Sequence, residues 1–239
     1  MYGTRARIGY TCPVFLAEIF PYDFYKMVPE GVTLVTATAS VWQGTPEELR
    51  QSAAQALGAA REMARAGVDV IVLGGVPVNL ASGYASVEEL ARAVQEDCDV
   101  PVTASLLCQN HALEALGAKQ VVVLSPGAAA GRNAGHVEEM RRLGCTVLDV
   151  RGTGSAMYGK PLAAEDTLEL GRAILRDNPD ADTLHCSSPH WPMAANIEAL
   201  EQEFGVNVVT AGQAIVWEAL RACGIQDRIS GYGRLLREF

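Results

Sequence analysis

The chain has 239 residues, of which 49% are hydrophobic and 20% are charged, and its formal net charge at pH 7 is −9. This composition is typical of a folded protein with an ample apolar core. The acidic balance argues against a nucleic-acid or membrane partner, because binding to either anionic surface needs clustered Lys and Arg. The sequence has no apolar run of the ~20 residues that a membrane span needs, and its N-terminus has no apolar signal-peptide core. The six cysteines are scattered, without a CxxC pair or metal-ligand spacing. A cytoplasmic protein without a metal site is therefore predicted.

Short β-branched runs alternate with longer helical patterns along the chain, which is typical of a parallel α/β sheet. The predicted strands lie at about 6–11, 32–37, 68–73, 100–103, 119–125, 145–150, 182–186 and 206–209. The predicted helices lie at about 46–66, 86–96, 105–116, 133–143, 164–176, 193–204 and 211–223. The strands are apolar on consecutive residues, which predicts that helices cover both faces of the sheet.

The same sequence pattern occurs twice. Residues Asp99–Ser105 lead into an apolar-periodic helix, and residues Gly205–Gly212 lead into another. An Asp-led apolar strand that stops at small residues precedes each copy, at Val68–Gly75 and at Ala181–Ser188. This repetition predicts an internal duplication of one α/β unit.

The duplication predicts an α/β fold of two pseudo-symmetric, parallel-sheet, Rossmann-like (flavodoxin-like) lobes. The first lobe is expected at residues 1–117 and the second at 118–239, with the C-terminal helix able to pack across. Ligands of such sheets bind at the carboxyl ends of the strands. The active site is therefore expected in the cleft between the two lobes.

The two halves differ at the end of the Asp-led strand, where one offers Cys186 and the other only Gly74 and Gly75. A thiol between a strand and a helix faces backbone N–H groups and a helix N-terminus, which favour the thiolate. Cys186 is therefore a candidate catalytic group. The alternative is that it is one more buried cysteine of the core.

Histidines lie near Cys186, and a Cys/His pair would suggest a nucleophile activated by a base. His185 precedes Cys186 on the strand, so the two side chains are expected on opposite faces. His190 can fold back toward the thiol or serve the loop as a cap. His111 and His136 are predicted to be helix-surface residues.

Two further loops could hold a ligand. Gly74 and Gly75 allow close backbone approach, although a tight turn without a ligand explains them equally well. Ser125, Gly127 and Asn133 form the matching loop of the second half, with Asn133 as an anion contact or a cap. No dinucleotide or Walker spacing is present, so no nucleotide cofactor is implied.

Taken together, these residues resemble the aspartate/glutamate racemase superfamily, and within it the branch of arylmalonate decarboxylase and maleate cis-trans isomerase. The resemblance covers essentially the whole chain. It includes Arg7–Pro13, Ala66–Gly74, the strand end at Cys186, Glu198–Thr210 and the tail Gly231–Leu235.

Racemases and isomerases of this superfamily carry one cysteine in each half and use no cofactor. Decarboxylases of the branch keep only the cysteine of the second half and have glycine in the first. The resemblance therefore implies that Cys186 is the catalytic acid, that Gly74 or Gly75 stands at the vacant position, and that no cofactor or metal is needed.

The implied substrate is a small mono- or dicarboxylate. Its predicted contacts come from the ends of the strands, at Pro13, Gly74, Gly75, Val76, Ser125, Gly127, Asn133, Ser187, Ser188 and His190. Aromatic side chains are candidates either for the walls of the site or for core packing, at Phe15, Trp42, Tyr158 and Trp191. The sequence leaves homo-oligomerisation open.

The function that follows is decarboxylation of a substituted malonate through an enediolate that Cys186 protonates. One alternative is a maleate-type cis-trans isomerase or an amino-acid- or hydantoin-type racemase, with His190 or Cys12 as an unusual partner of Cys186. The other is a carboxylate-binding protein without turnover.

Overall fold

The computed structural model describes residues 2–126, 134–152 and 162–239. Its contacts divide the chain into two compact units, Met1–Cys108 with Ile215–Asp227, and Gln109–Ala214 with Arg228–Phe239. The strands within the described residues are β1 (Ala6–Val14), β2 (Val32–Val41), β3 (Val70–Leu73), β4 (Val102–Ala104), β5 (Gln120–Leu124), β6 (Thr146–Arg151), β7 (Thr183–Cys186) and β8 (Asn207–Thr210). Each of them lies at a predicted position. The predicted lobes, 1–117 and 118–239, remain a prediction.

The helices within the described residues are α1 (Ile19–Met27), α2 (Pro46–Arg65), α3 (Val76–Leu80), α4 (Val87–Cys98), α5 (Ser105–Ala115), α6 (Ala134–Arg142), α7 (Ala164–Asp177), α8 (Ile197–Phe204), α9 (Ala211–Ala222) and α10 (Gly233–Glu238). Local sequence explains where α2 starts. The Thr45 hydroxyl accepts a hydrogen bond from the Glu48 N–H, and the Glu48 carboxylate accepts one from the Thr45 N–H, which forms a capping box.

The sheet of the first unit is parallel and has the strand order β2-β1-β3-β4. Its apolar core is formed by strands and helices that include Ile71 and Leu73 of β3, Ala60 of α2 and Leu90 of α4. Strand β3 is short and fully buried, as its consecutive apolar pattern predicts, whereas the ten-residue edge strand β2 has buried, half-buried and exposed positions.

The sheet of the second unit is also parallel, and its order β6-β5-β7-β8 repeats that of the first. Its core includes Leu124 of β5, Ile174 of α7 and Leu200 of α8. The matching strand orders agree with the duplication that the sequence predicts.

The register of the two sheets identifies which residues are equivalent. Asp69 bonds to the backbone of Arg7, and Asp182 bonds in the same way to the backbone of Gln120. Four residues beyond each aspartate, Leu73 pairs with Thr11 and Cys186 pairs with Leu124. The counterpart of Cys186 is therefore Leu73, one residue before the glycine that the sequence comparison of the two halves suggests. Ser187 corresponds to Gly74, and Ser188 to Gly75.

Four helices differ from the predictions. A short helix, α3, occupies Val76–Leu80, where the sequence predicts a loop. One turn of helix is too short for a 3.6-residue periodicity to register. Helix α8 begins at Ile197, after a 3₁₀ turn at Ala194–Asn196, and not near Met193. Helices α1 and α10 were not predicted, although Phe20, Phe24 and Met27 of α1 are buried at helical spacing.

Within the described ranges, no helix is both long enough and apolar enough to cross a membrane.

Candidate functional site

Cys186 is the last residue of β7, and its side chain is fully buried. It belongs to an apolar cluster with Leu124, Trp191 and Ile197. The Sγ atom lies 3.9 Å from the carbonyl oxygen of Ser188, to which the thiol can donate. Burial raises the pKa of the Cys186 thiol to about 12. The thiol therefore keeps its proton at neutral pH.

This environment corrects the expectation that a helix N-terminus stabilises the Cys186 thiolate. Helix α8 begins only at Ile197, and the polar atom beside the thiol is the carbonyl oxygen of Ser188, which accepts a proton and does not stabilise negative charge. A buried thiol in apolar surroundings is a proton donor and a poor nucleophile, since only the thiolate is strongly nucleophilic.

The glycines after β3 leave no room for a side chain. A Cβ atom built on Gly74 would lie 2.1 Å from the carbonyl oxygen of Thr11 and 2.8 Å from the ring of Tyr10. Gly75 has φ +82°, and a Cβ atom there would lie 2.7 Å from Cγ of Pro13. Thus Pro13 and Gly75, both predicted to lie at the site, are indeed brought together. Neither glycine position can accept a cysteine without a shift of the backbone.

Several backbone amides at the strand ends are already used inside the protein. The Gly74 N–H donates to both the carbonyl and the hydroxyl oxygen of Thr11, each at 3.0 Å. The Ser187 N–H donates to the carbonyl of Leu124 at 3.0 Å, and the Ser125 N–H to the carbonyl of Arg151 at 2.8 Å. These three amides are therefore not free to hold a substrate carboxylate. The backbone amides of Val76 and Ser188 remain candidates for binding the substrate carboxylate.

Asn79 was missed by the sequence reasoning. Its side chain is buried in α3, and its Nδ2 donates to the carbonyl of Leu73 at 3.2 Å. Its Oδ1 accepts from the N–H of Leu106, the second residue of α5, at 3.5 Å. Asn79 thus ties the end of β3 to the start of α5. The pair of glycines four and five residues before it is a local signal that could have drawn attention to it.

His185 and His136 form a buried pair. Their Nε2 atoms are 3.0 Å apart and their rings are stacked, with centroids 5.1 Å apart. His185 directs its ring toward this partner and Val209, whereas the neighbouring Cys186 lies in the apolar cluster, as strand alternation predicts. The prediction that His136 is a surface residue is wrong, because only 6% of it is exposed. The pairing joins residues 49 apart, so no local pattern indicates it.

The hydrogen bonds of this pair determine its tautomers. Nδ1 of His185 lies 3.1 Å from the carbonyl oxygen of Val209 and must donate to it, which leaves Nε2 of His185 as an acceptor. His136 therefore donates from Nε2. Burial lowers the pKa of His136 to about 4 and that of His185 to about 3, so both rings are neutral at neutral pH.

His190 and Ser188 lie on the segment that follows β7. The His190 N–H donates to Oγ of Ser188 at 3.2 Å. Nε2 of His190 is shielded from solvent and has no hydrogen-bond partner among the described residues. Burial lowers the pKa of His190 to about 4, so its imidazole is neutral at neutral pH.

The candidate aromatic walls separate into two groups. Phe15 is 61% exposed and Trp42 is 54% exposed, so neither is a core residue of the first unit. Trp191 is 8% exposed and packs in the core of the second unit. The fourth aromatic candidate, Tyr158, lies outside the described residues. The predicted substrate contacts Gly127 and Asn133 also lie outside them.

A cavity of about 420 Å³ in the second unit lies at the opposite end of the sheet, where β7 and β8 begin. Its wall includes Glu198 and Glu201 of α8 and Arg237 of α10, which bonds to Glu198 at 3.2 Å. Because its charges are paired within the protein, we assign it no ligand. In the part of the chain that the structure describes, no group of three His, Cys, Asp or Glu side chains is arranged to hold a metal ion.

The chain is similar to proteins of known activity. Arylmalonate decarboxylase of Bordetella bronchiseptica is 25% identical over 230 residues, which are 93% of each chain. A structure of unliganded arylmalonate decarboxylase has a TM-score of 0.83 and 22% identity, and covers 98% of this chain and 100% of its own. A mutant of Nocardia farcinica maleate cis-trans isomerase, with a covalently bound succinylcysteine intermediate, has a TM-score of 0.82 and 22% identity, and covers 98% and 99%. These structures share the α/β fold described above.

The family model described as arylmalonate decarboxylase matches residues 16–236. This match takes in every strand described above except β1, together with the glycines after β3 and the whole of β7. Since it extends over nearly the full length, the chain belongs to the arylmalonate decarboxylase family.

Proposed function

We propose that this protein is a cofactor-independent lyase that decarboxylates a substituted malonate or a related small diacid, with Cys186 as the proton donor. The observation that carries the proposal is the asymmetry between the two sheets. The second has a protonated thiol at the end of β7, whereas the first has Leu73 at the equivalent position, and the two glycines that follow Leu73 leave no room for a side chain. The family membership and the decarboxylase relative support the same reaction.

The reaction needs one proton donor for the carbon atom and hydrogen-bond donors that stabilise the negative charge developing on the carboxylate oxygens. The C–C bond to one carboxylate breaks, CO₂ leaves, and the bonding electrons remain on the other carboxylate as an enediolate. The Cys186 S–H then transfers its proton to the carbon, and water reprotonates the thiolate. An enediolate is basic enough to take a proton from a thiol whose pKa is about 12.

Two features argue against the racemase and isomerase alternatives. A two-base racemase needs an acid or base on each face of the carbon, and the counterpart of Cys186 in the first sheet is Leu73. The related isomerase carries a covalent succinylcysteine, and forming such an adduct requires a nucleophilic thiolate. The raised pKa of Cys186 disfavours that role, and burial likewise raises the pKa of Cys12 to about 11.

The test is ¹H NMR in D₂O with phenylmalonate, methylmalonate, maleate, aspartate and hydantoins. The wild type is expected to release CO₂ from a malonate and to place one deuteron on the product carbon. Cys186→Ala should abolish this reaction. Cys145→Ala is the matched control, because Cys145 is also buried and its thiol also donates to a carbonyl, that of Ala118, at 3.5 Å.

Other outcomes would overturn the proposal. Conversion of maleate, or α-deuteration without loss of CO₂, would assign the protein to the isomerases or racemases. A malonate that stabilises the protein against heat but is never converted would indicate a binding protein. Full turnover by Cys186→Ala would remove Cys186 from the reaction and make it a core residue like Leu73.

A further inference from the structure

The segment that follows β7, residues 187–192, is held at both ends. At its start, the Ser187 N–H donates to the carbonyl of Leu124. At its end, the Pro192 carbonyl lies 2.9 Å from the hydroxyl of Thr167, and Trp191 packs in the core. Pro189 and Pro192 further restrict the backbone. Side chains between these anchors are therefore presented on a rigid support.

Ser188 stands between the anchors with its hydroxyl oriented. Its Oγ accepts a hydrogen bond from the His190 N–H at 3.2 Å. This bond uses a lone pair of Oγ, so the O–H proton can still be donated to another acceptor. In the first sheet the equivalent residue is Gly75, which has no side chain to donate. The second half therefore carries a polar group that the first half lacks.

His190 supplies an unsatisfied polar atom on the same segment. Its Nε2 is shielded from solvent and has no partner among the described residues. A buried polar atom without a partner destabilises a protein, and such atoms in native structures call for an explanation. Because the ring is neutral, Nε2 can carry a proton and donate it in a hydrogen bond without adding a buried charge.

We propose that the Ser188 hydroxyl and the His190 Nε2–H together bind the negatively charged oxygen of the carboxylate substrate and of the enediolate formed from it. This inference rests on the proposed function and names the donors of that site. Both groups are neutral and lie on a segment that is held at both ends, so they can stabilise an oxyanion with little reorganisation during the reaction. They supply the side-chain donors that the Gly74–Val76 turn lacks.

The test uses variants of the whole chain with phenylmalonate as substrate and malonate as a binding probe. Ser188→Ala and His190→Leu should each lower kcat/KM about 100-fold, the usual loss for one oxyanion donor. His190→Gln, which retains an N–H donor, should recover part of the loss. Ser52→Ala and His111→Gln are the matched controls, one a buried serine and the other an exposed histidine, and should stay within about twofold.

A readout independent of turnover is ¹⁵N-labelled histidine NMR with malonate. Binding is expected to shift the His190 Nε2–H proton downfield, and Ser188→Ala should weaken malonate binding without lowering Tm by more than a few degrees. A merely structural role for either residue would move Tm and leave the imidazole signal unchanged.

The outcomes separate this inference from the proposed reaction. Turnover in the wild type with unchanged kcat/KM in Ser188→Ala and His190→Leu would overturn the inference and leave the reaction standing. Malonate binding that both variants lose, with no turnover of any diacid, would support the inference and refute the reaction. A wild type that neither binds nor converts a diacid would overturn both.

Discussion

The carbonyl oxygen of Thr11 closes the space beside Gly74, because a Cβ atom on that glycine would lie only 2.1 Å away from it. The same oxygen accepts the Gly74 N–H at 3.0 Å, so the two strand ends cannot separate without breaking a buried hydrogen bond. A second thiol at this position would require both a backbone shift and the loss of that bond. The absence of a cysteine here is thus consistent with the local packing.

Gly74→Cys is therefore expected to destabilise the protein and to create no racemase. The clash is with backbone, which cannot rotate away, so a loss of at least ~3 kcal/mol in the free energy of unfolding is expected. Gly58→Ala is the control, because a Cβ at Gly58 in α2 meets nothing within 4 Å. It should stabilise the protein by about 0.5–1 kcal/mol. Urea unfolding measures both, and a Gly74→Cys variant as stable as the wild type would contradict the prediction.

Cys186 is expected to resist alkylation in the native protein. Its pKa of about 12 leaves almost no thiolate at pH 7.5, and its side chain is fully buried. Iodoacetamide should label the half-buried Cys98 first and reach Cys186 only in urea. Peptide mass spectrometry over time measures the order. Faster labelling of Cys186 than of Cys98 would show that its thiolate is stabilised, and would favour a nucleophilic role.

The His136–His185 pair should make the protein acid-sensitive. Both pKa values in the folded state, about 4 and about 3, lie below the ordinary value of 6.5, so the unfolded chain binds more protons between these limits. The contribution of this pair to the free energy of unfolding is therefore fully present above pH 6.5 and is lost as the pH falls toward 4. Each proton contributes a slope of about 1.4 kcal/mol per pH unit in the free energy of unfolding.

Urea titrations from pH 4.5 to 8 measure that slope. The double variant His136→Leu/His185→Leu should make it shallower, since neither leucine titrates, while His190, whose pKa is also lowered to about 4, keeps its own contribution. His111→Gln is the comparison variant, because His111 is a histidine exposed on α5. An equally steep slope in the double variant would assign the acid sensitivity to other groups, among them His190.

Thr167→Val should loosen the end of the segment that carries Ser188 and His190. The fully buried Thr167 hydroxyl lies 2.9 Å from the Pro192 carbonyl and accepts from Nδ2 of Asn196 at 2.9 Å. Valine has the same shape but no hydroxyl, so a loss of about 1–3 kcal/mol is expected from the unpaired groups. Thr146→Val on an exposed strand position should be near neutral. A neutral Thr167→Val would mean that the hydroxyl does not anchor the segment.

The strands and helix ends that depend only on the local sequence pattern could be predicted. Residues in buried strands are apolar in succession, and Thr45, Pro46 and Glu48 satisfy the first turn of α2 without help from elsewhere. The duplicated Asp-led strands anticipated two sheets of the same order. Short elements such as α3 and the 3₁₀ turn before α8 escaped because one turn is too brief to show a period.

The sequence by itself determined the strands, most helices, the duplication and a cysteine at the end of β7. Only the tertiary structure decided that the thiol of this cysteine is protonated, because its pKa depends on the apolar groups packed around it. The tertiary structure also decides that Gly74 has no room for a side chain, because it lies against the carbonyl of a residue 63 positions earlier. It likewise decides that His136 is buried, because its ring packs against that of a histidine 49 positions later. Burial, clash and hydrogen-bond pairing join residues far apart in the chain, and no local spacing records them.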